Sequence, residues 1–314
     1  MQVIGKALRF DPAGEARRAE DLGFDGVRVI DHFMSGVPPE PPAAVPHPFV
    51  SLGAAAAATS QVLLTQTMVA APIRHPFEVA QAVSSLDRIS GGRAELGMGT
   101  GWLESEFDNT GLRLGPPRER IDRLIEAATI CHEMFHRQGC VEFHGDHFRA
   151  VSTAEWPTTP HVPEIMLGGH GPNMLRRAAA VADRIDLLEA MSASGPRFDG
   201  DHLNDVVNLR RRMALADEAA ERSGKPIAFS ATVNMVVRDS PATRLAEARS
   251  LASIANCDSS AFDSELLRMV ATESDALERF AVLAELGIDR LHIRPVDEQT
   301  REWLEGSLAD LRAL

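Results

Sequence analysis

The feature that most constrains the fold is a regular alternation of short apolar segments with longer amphipathic ones along nearly the whole chain. The apolar segments are typical of buried strands, and the segments between them have helical spacing. Strands are predicted at residues 2–8, 26–31, 62–69, 94–98, 164–167, 185–188, 227–237 and 291–294. This pattern over 314 residues predicts an α/β fold, a (β/α)8 TIM barrel with short insertions, as a single domain over residues 1–314. A doubly wound open sheet is the alternative. The barrel is favoured because the alternation persists along the chain without a change in amino-acid composition.

A TIM barrel brings the carboxyl ends of its strands to one face, which carries the functional groups of such enzymes. The polar and glycine-rich motifs of this chain fall at these ends. They are Asp31 and His32, then Thr67 and Met68, then Gly99, Thr100, Gly101 and Trp102, and finally Gly168, Gly169, His170 and Gly171. We therefore expect these residues to surround one site.

The residue types in these motifs indicate proton transfer beside a bound cofactor. His32 can exchange a proton near neutral pH, and Asp31 can orient it or hold cofactor hydroxyls. A polar loop that begins at Asp31 is the alternative. Glycines at strand ends let backbone approach a flat ring, and the amides after Gly171 can bind a phosphate at a helix N-terminus. An ordinary β–α turn is the alternative there.

Two further motifs suggest other chemistry. Residues 97–102 have the spacing G-x-G-x-G, which departs from the G-x-G-x-x-G of a dinucleotide-binding loop. Residues 132–136 match the H-E-x-x-H of zinc peptidases, so a zinc hydrolase that uses His132 and His136 is the hypothesis from another class. His132 lies within the apolar face of its predicted helix and no third ligand follows at a recognisable spacing. We therefore favour core or rim histidines and no metal site.

The run SLDRISGGRAELGMGTGW at residues 85–102, followed by Glu106-Phe107 and Gly111, resembles the luciferase-like monooxygenase superfamily. With Asp31-His32-Phe33 and residues 168–171, it is most similar to the branch that uses coenzyme F420. The resemblance implies hydride transfer between C5 of the deazaflavin and a small organic substrate. An FMN-dependent monooxygenase, supplied with reduced cofactor by a separate reductase, is the second hypothesis.

The resemblance also assigns roles to the motif residues. His32 exchanges a proton with the substrate, and Asp31 bonds to the deazaflavin. A non-proline cis peptide supports the ring, at Thr67-Met68 or, as the next choice, at Gln66-Thr67. Gly99, Thr100 and Gly101 pass beside the ring, and residues 168–171 contact the cofactor phosphate. Trp102 replaces a glutamate found in the sugar-phosphate dehydrogenases of the family. We expect it to form an apolar wall of the pocket.

The composition excludes some partners and favours one compartment. A formal net charge of −13 opposes binding to nucleic acid and to anionic membranes. The start lacks the pattern of a signal peptide, and no apolar run approaches the roughly 20 residues of a membrane helix. Three cysteines without metal-type spacing fit a reduced compartment. We expect a soluble cytoplasmic protein, and the resemblance implies a homodimer. A proline-rich loop over residues 35–48 is predicted to cover the second strand end.

Overall fold

The computed structural model describes residues 1–35, 43–155, 161–189, 191–192, 195–196, 204–255 and 257–314. The strands are β1 Gln2–Ala7, β2 Gly26–Val29, β3 Met34–Ser35, β4 Ala43–Ala44, β5 Leu63–Gln66, β6 Val69–Ala70, β7 Leu96–Gly99, β8 Val141–His144, β9 Arg149–Ser152, β10 Ile165–Gly169, β11 Arg184–Leu187, β12 Met191–Ser192, β13 Gly195–Pro196, β14 Ala228–Arg238, β15 Arg268–Thr272 and β16 Arg290–Pro295. The helices are α1 Pro12–Leu22, α2 Pro48–Ala58, α3 Pro76–Ser90, α4 Glu104–Thr110, α5 Pro117–His136, α6 Pro172–Ala178, α7 Val206–Ser223, α8 Pro241–Ala255, α9 Ala261–Ser264, α10 Glu273–Glu285, α11 Glu298–Gly306 and α12 Leu308–Ala313.

The main sheet closes into a parallel barrel. Its strand order is β5-β2-β1-β16-β14-β11-β10-β7-β6, and every neighbouring pair is parallel. β5 and β6 are one strand position interrupted at Thr67-Met68, and a parallel bridge between Leu64 and Ala94 joins β5 to the chain before β7. The predicted TIM barrel is therefore confirmed. β15 extends the sheet by pairing with the carboxyl half of β14.

Local signals set the ends of the barrel helices. The Asp11 side chain accepts a hydrogen bond from the Gly14 amide at 3.1 Å, and Pro12 occupies the first turn of α1. Gly23 ends that helix at φ 90°, and Gly91 ends α3 at φ 73°. Glycine is favoured at both positions because the left-handed region costs it little.

The apolar core fills the layer between strands and helices, but the inside of the barrel contains many polar groups. Leu52, Ala55 and Ala56 of the alanine-rich α2 are buried in the apolar layer. Inside the barrel, Asp186 and His292 are fully buried. Asp186 accepts hydrogen bonds from the Ser230 and Thr232 hydroxyls, each at 2.6 Å. This departs from the branched apolar layers that fill most TIM barrels.

The structure departs from the sequence-based boundaries in a few places. The third predicted strand is split into β5 and β6. The short helix α4 was not predicted. β8 and β9 form an antiparallel hairpin that turns at Gly145-Asp146. In the predicted loop over residues 35–48, β3 pairs with β4, and residues 36–42 lie outside the described residues. No helix in the described ranges is long and apolar enough to span a bilayer.

Candidate active site

A cavity of about 360 Å³ opens at the carboxyl ends of the barrel strands. It is lined by Ile30, Asp31, His32, Met34, Thr67, Met68, Ala70, Gly99, Thr100, Gly101, Trp102, Leu103, Arg120, Gly168, Gly169, His170, Leu188, Glu189, Thr232, Asn234 and Arg294. The structure thus brings together all the predicted site residues except Gly171, which caps the start of α6 outside this lining. The volume falls within the range of small-molecule sites.

His32 is held by a buried carboxylate that the sequence analysis did not assign to the site. Its Nδ1 lies 2.8 Å from Oε2 of Glu106, on α4, and Glu106 is 2% exposed. The other Glu106 oxygen accepts hydrogen bonds from the amides of Phe33 and Met34. Burial raises the pKa of Glu106, but these hydrogen bonds outweigh it, so the pKa lies below its usual range. An ionised carboxylate therefore orients the imidazole.

Asp31 lines the cavity but is already bonded to the protein through both carboxylate oxygens. Arg74 binds it in a bidentate manner, with Nη2 at 2.7 Å from Oδ1 and Nε at 2.9 Å from Oδ2. The Ala70 amide donates to Oδ2 at 3.3 Å. These contacts fix the start of the loop that carries His32. The sequence analysis missed Arg74 because it comes from the segment after β6, distant in sequence.

Thr67 and Met68 form the wall between β5 and β6. Their peptide bond is cis, as the family resemblance led us to expect. A Cβ on Gly168 would lie 3.0 Å from Cε of Met68, and one on Gly99 would lie 3.2 Å from its Cβ. These two glycines therefore make room for the Met68 side chain as well as leaving backbone at the cavity.

Trp102 and Arg120 lie on the side of the cavity nearest α4 and α5. The Trp102 ring meets the His32 ring edge-on, with centroids 6.2 Å apart. Arg120 donates through Nη1 to the carbonyl of Gly101, while its buried Nε has no hydrogen-bond partner among the described residues. Burial lowers the pKa of the Arg120 guanidinium. Arg120 is a second functional candidate that the sequence did not reveal, because an arginine at a helix start is usually solvated.

The opposite wall is polar. Glu189 accepts hydrogen bonds from Nδ2 of Asn234 at 2.7 Å and from Nε of Arg268 at 2.8 Å. Thr232 and Arg294 line the cavity beside them. Glu189 follows β11, Thr232 and Asn234 lie within β14, and Arg294 lies within β16. The sequence analysis assigned no site residue to these positions. Thr232, Asn234 and Arg294 are polar residues within largely apolar strands, which is the signal that could have revealed them.

The H-E-x-x-H segment does not form a metal centre in the described residues. The His132 and His136 rings stack with centroids 4.0 Å apart, and Nδ1 of His136 bonds the carbonyl of His132. No group of three or more potential ligands occurs in the part of the chain that the structure describes. His132 is half-buried and His136 is exposed, so the two rings lie at the rim of α5.

Comparison with known proteins identifies the class that this barrel and cavity define. Residues 13–287 match the family described as luciferase-like monooxygenase, and the chain belongs to that family. An F420-dependent glucose-6-phosphate dehydrogenase from Nakamurella multipartita is 33% identical over 186 residues, covering 56% of this chain and 52% of that protein. The chain spans about half the length of the curated relatives it matches.

Solved structures share the fold over its full length. An F420-dependent secondary alcohol dehydrogenase in complex with an F420-acetone adduct superposes with a TM-score of 0.80 at 20% identity, covering 99% of both chains. The oxygenating constituent of 3,6-diketocamphane monooxygenase from Pseudomonas putida, in complex with FMN, gives a TM-score of 0.68 at 16% identity. It covers 99% of this chain and 96% of its own. At these identities the likeness supports the fold alone.

Proposed function

We propose that this protein is a coenzyme F420-dependent oxidoreductase that transfers a hydride between deazaflavin C5 and a small organic substrate. The observation that carries the proposal is the pair of His32 and buried Glu106 at a cavity that also exposes Thr67 and Met68. Relatives of this chain are named as F420-dependent dehydrogenases, which supports the choice of cofactor.

The residues around the cavity fit such a cofactor. Thr67 and Met68 offer a wall for one face of a planar ring, and Gly99, Gly101 and Gly168 leave backbone exposed beside it. Arg120 Nε is a buried donor with no partner among the described residues, at the edge of the same cavity. We assign Asp31, Thr100, Trp102, Gly169, His170 and Gly171 to the cofactor site with them. Coenzyme F420, when bound, supplies a ring that accepts or donates a hydride at C5.

Within this proposal, His32 moves the proton. Because Nδ1 bonds Glu106, Nε2 is the nitrogen left for the substrate. In alcohol oxidation His32 accepts the hydroxyl proton as the carbinol C–H bond breaks, and in carbonyl reduction it returns that proton to oxygen. Glu106 stabilises the imidazolium that forms. Trp102 excludes water from one side of the substrate.

A direct titration tests the choice of cofactor. Purified protein is titrated with coenzyme F420 and with FMN, each oxidised and reduced, and fluorescence is followed. Tight binding of F420 alone is the expected result. Preference for reduced FMN would instead favour a two-component monooxygenase with a separate reductase, the second candidate suggested by the FMN-bound structure of similar fold. Binding of neither would remove the proposed function.

The sequence-based predictions of partners, domain organisation, oligomeric state and compartment are also part of the proposal. We propose that the chain acts on a small molecule, with no nucleic acid or membrane partner, as a single-domain homodimer in the cytoplasm. Light scattering on the purified protein tests the dimer, since a monomer at micromolar concentration would exclude it.

A further inference from the structure

Two guanidinium groups from different strands converge on Thr67, in the wall of the cavity. Arg28, on β2, donates through Nη1 to Oγ1 of Thr67 at 3.4 Å and through Nη2 to the carbonyl of Ile293 at 3.5 Å. Arg294, on β16, donates through Nη2 to the carbonyl of Thr67 at 3.2 Å and itself lines the cavity. Positive charge is therefore concentrated at the point where β5 and β6 separate.

Neither guanidinium has a carboxylate partner within the described part of the chain. Arg28 is 3% exposed, and the Nε atoms of both residues are buried without a hydrogen-bond partner there. Glu189 is already paired with Arg268 and bonded to Asn234. Asp186 bonds only the Ser230 and Thr232 hydroxyls, so its charge acts on both arginines without a direct contact to either. A buried charge without a partner is expensive, so such residues are unusual unless they have a function.

The pKa directions agree with this geometry. Burial lowers the pKa of Arg28 well below its ordinary value, and the charge of Arg294 lowers it further while that of Asp186 raises it. Burial also lowers the pKa of Arg294, against the opposing effect of Glu189 and Asp186. Arginine keeps its proton at neutral pH. The guanidinium groups of Arg28, Arg294 and Arg268 therefore outnumber the two nearby carboxylates, Asp186 and Glu189, and the site has a net positive charge.

We propose that Arg28 and Arg294 form an electropositive floor that stabilises the reduced form of the cofactor in this cavity. The inference rests on the proposed function. A hydride carries two electrons and one proton, so its transfer to the oxidised ring adds one negative charge, while the substrate hydroxyl proton goes to His32. Fixed positive charge near the ring favours that electron-rich form. The two arginines are charge-stabilising residues and neither exchanges a proton.

The test is the ratio of F420 dissociation constants, oxidised over reduced, in Arg294→Gln and Arg28→Gln. Glutamine keeps a donor for Thr67 and removes the charge. We expect each substitution to lower this ratio about tenfold, because a fixed unit charge in or behind the cavity wall acts through a lower effective dielectric constant than that of water. That change corresponds to about 30 mV in the potential of a two-electron couple.

Two controls separate charge from folding. Arg294→Lys keeps a positive charge and is expected to retain most of the wild-type ratio. Arg93 also donates only to neutral oxygens, including the carbonyls of Val62 at 2.9 Å and Ala56 at 3.1 Å, but it precedes β7 at the other end of the barrel. Arg93→Gln is expected to reduce thermal stability and leave the ratio unchanged.

The outcomes distinguish this inference from the function on which it rests. Wild-type protein that binds no F420 overturns both. Wild-type binding with an unchanged ratio in Arg294→Gln and Arg28→Gln overturns the electropositive floor and leaves the oxidoreductase standing. If the glutamine variants do not fold, Arg294→Lys and Arg93→Gln still test the inference. A ratio lowered tenfold in both variants would reject it, because neither substitution removes positive charge from beside the cavity.

Discussion

Buried arginines at the two ends of the barrel interior differ in their bonding partners. At the amino ends of the strands, Arg184 bonds Glu164 at 2.7 Å and Asp289, and Arg290 bonds Glu95 at 2.9 Å and Glu164 at 3.1 Å. Under the cavity, Arg28 and Arg294 bond a threonine and a backbone carbonyl. The arginines at the amino ends are paired with carboxylates, whereas Arg28 and Arg294 have no carboxylate partner among the described residues.

The pKa directions express the same difference. Burial lowers the pKa of Arg184, but the hydrogen bonds and charges of Asp289 and Glu164 raise it above its ordinary value overall. The pKa of Arg28 is lowered because no such bond compensates for its burial. In TIM barrels the amino-end face serves stability and the carboxyl-end face serves catalysis. We expect substitutions at the two ends to separate stability from function.

The largest expected effect is on stability at the amino end. Arg290→Met leaves Glu95, which is 4% exposed, without its partner. Breaking one side of a buried pair costs about 3–5 kcal/mol, so the free energy of unfolding in urea is expected to fall by that amount. The F420 affinity of the folded fraction is expected to stay the same. An unchanged free energy of unfolding would contradict the claim that the ion pairs at the amino end stabilise the fold.

The next effect is on turnover at the carboxyl end. His32→Ala is expected to lower turnover about 100-fold or more while sparing cofactor binding, because it removes the proton acceptor. Steady-state kinetics with a secondary alcohol panel and a parallel F420 titration measure the two effects. His136→Ala, on the exposed end of α5, is the matched control. Unchanged turnover in His32→Ala, or lost turnover in His136→Ala, would contradict the assignment.

A smaller effect is expected from the residue behind His32. Glu106→Gln keeps a hydrogen bond to the imidazole and removes the charge that stabilises its protonated form. We expect turnover to fall about tenfold with little change in KM, because the imidazolium that forms during proton transfer loses its counter-charge. Unchanged F420 affinity would separate this positioning role from cofactor binding. Unchanged turnover would show that Glu106 acts only in folding.

The smallest effect is the pH dependence of stability from the same carboxylate. The pKa of Glu106 is lowered in the folded protein, so its ionised form stabilises the fold above the ordinary value of 4.5. This contribution is lost as pH falls from 4.5 through the folded pKa. The melting temperatures of wild type and Glu106→Gln are therefore expected to differ at pH 7 and to converge on acidification. A difference in melting temperature that stays constant across this pH range would contradict the lowered pKa of Glu106.

The sequence predicted the barrel because its signals are local. Apolar strand runs, proline at helix starts and glycine at helix ends each act within a few residues, and the chain repeats them in order. The split of the third strand at Thr67-Met68 could not be read locally, because residues 62–69 have ordinary strand composition. The cis peptide there was expected only from the family resemblance.

The site was predictable where function coincides with a strand end. His32, Trp102 and Gly168 were predicted in this way, and the cavity brings them together. The sequence analysis missed Glu106, Arg28 and Arg294 as site residues. Each of them matters because of the groups that it contacts or lacks in the folded chain, and those groups are distant in sequence. Glu106 lies 74 positions after His32, and Arg294 lies 227 positions after Thr67. No periodicity links such residues.

The most direct test of the central claim is an equilibrium fluorescence titration of F420 with wild type and with Gly168→Leu. A Cβ at Gly168 would already lie 2.9 Å from Cδ1 of Leu188, so a leucine must extend into the cavity or displace its wall. Gly53→Leu, where an added Cβ has no neighbour within 4 Å, is the control. We predict saturable binding in wild type and Gly53→Leu and at least tenfold weaker binding in Gly168→Leu with an unchanged circular dichroism spectrum. Equal binding in all three proteins would place the cofactor elsewhere and contradict the account.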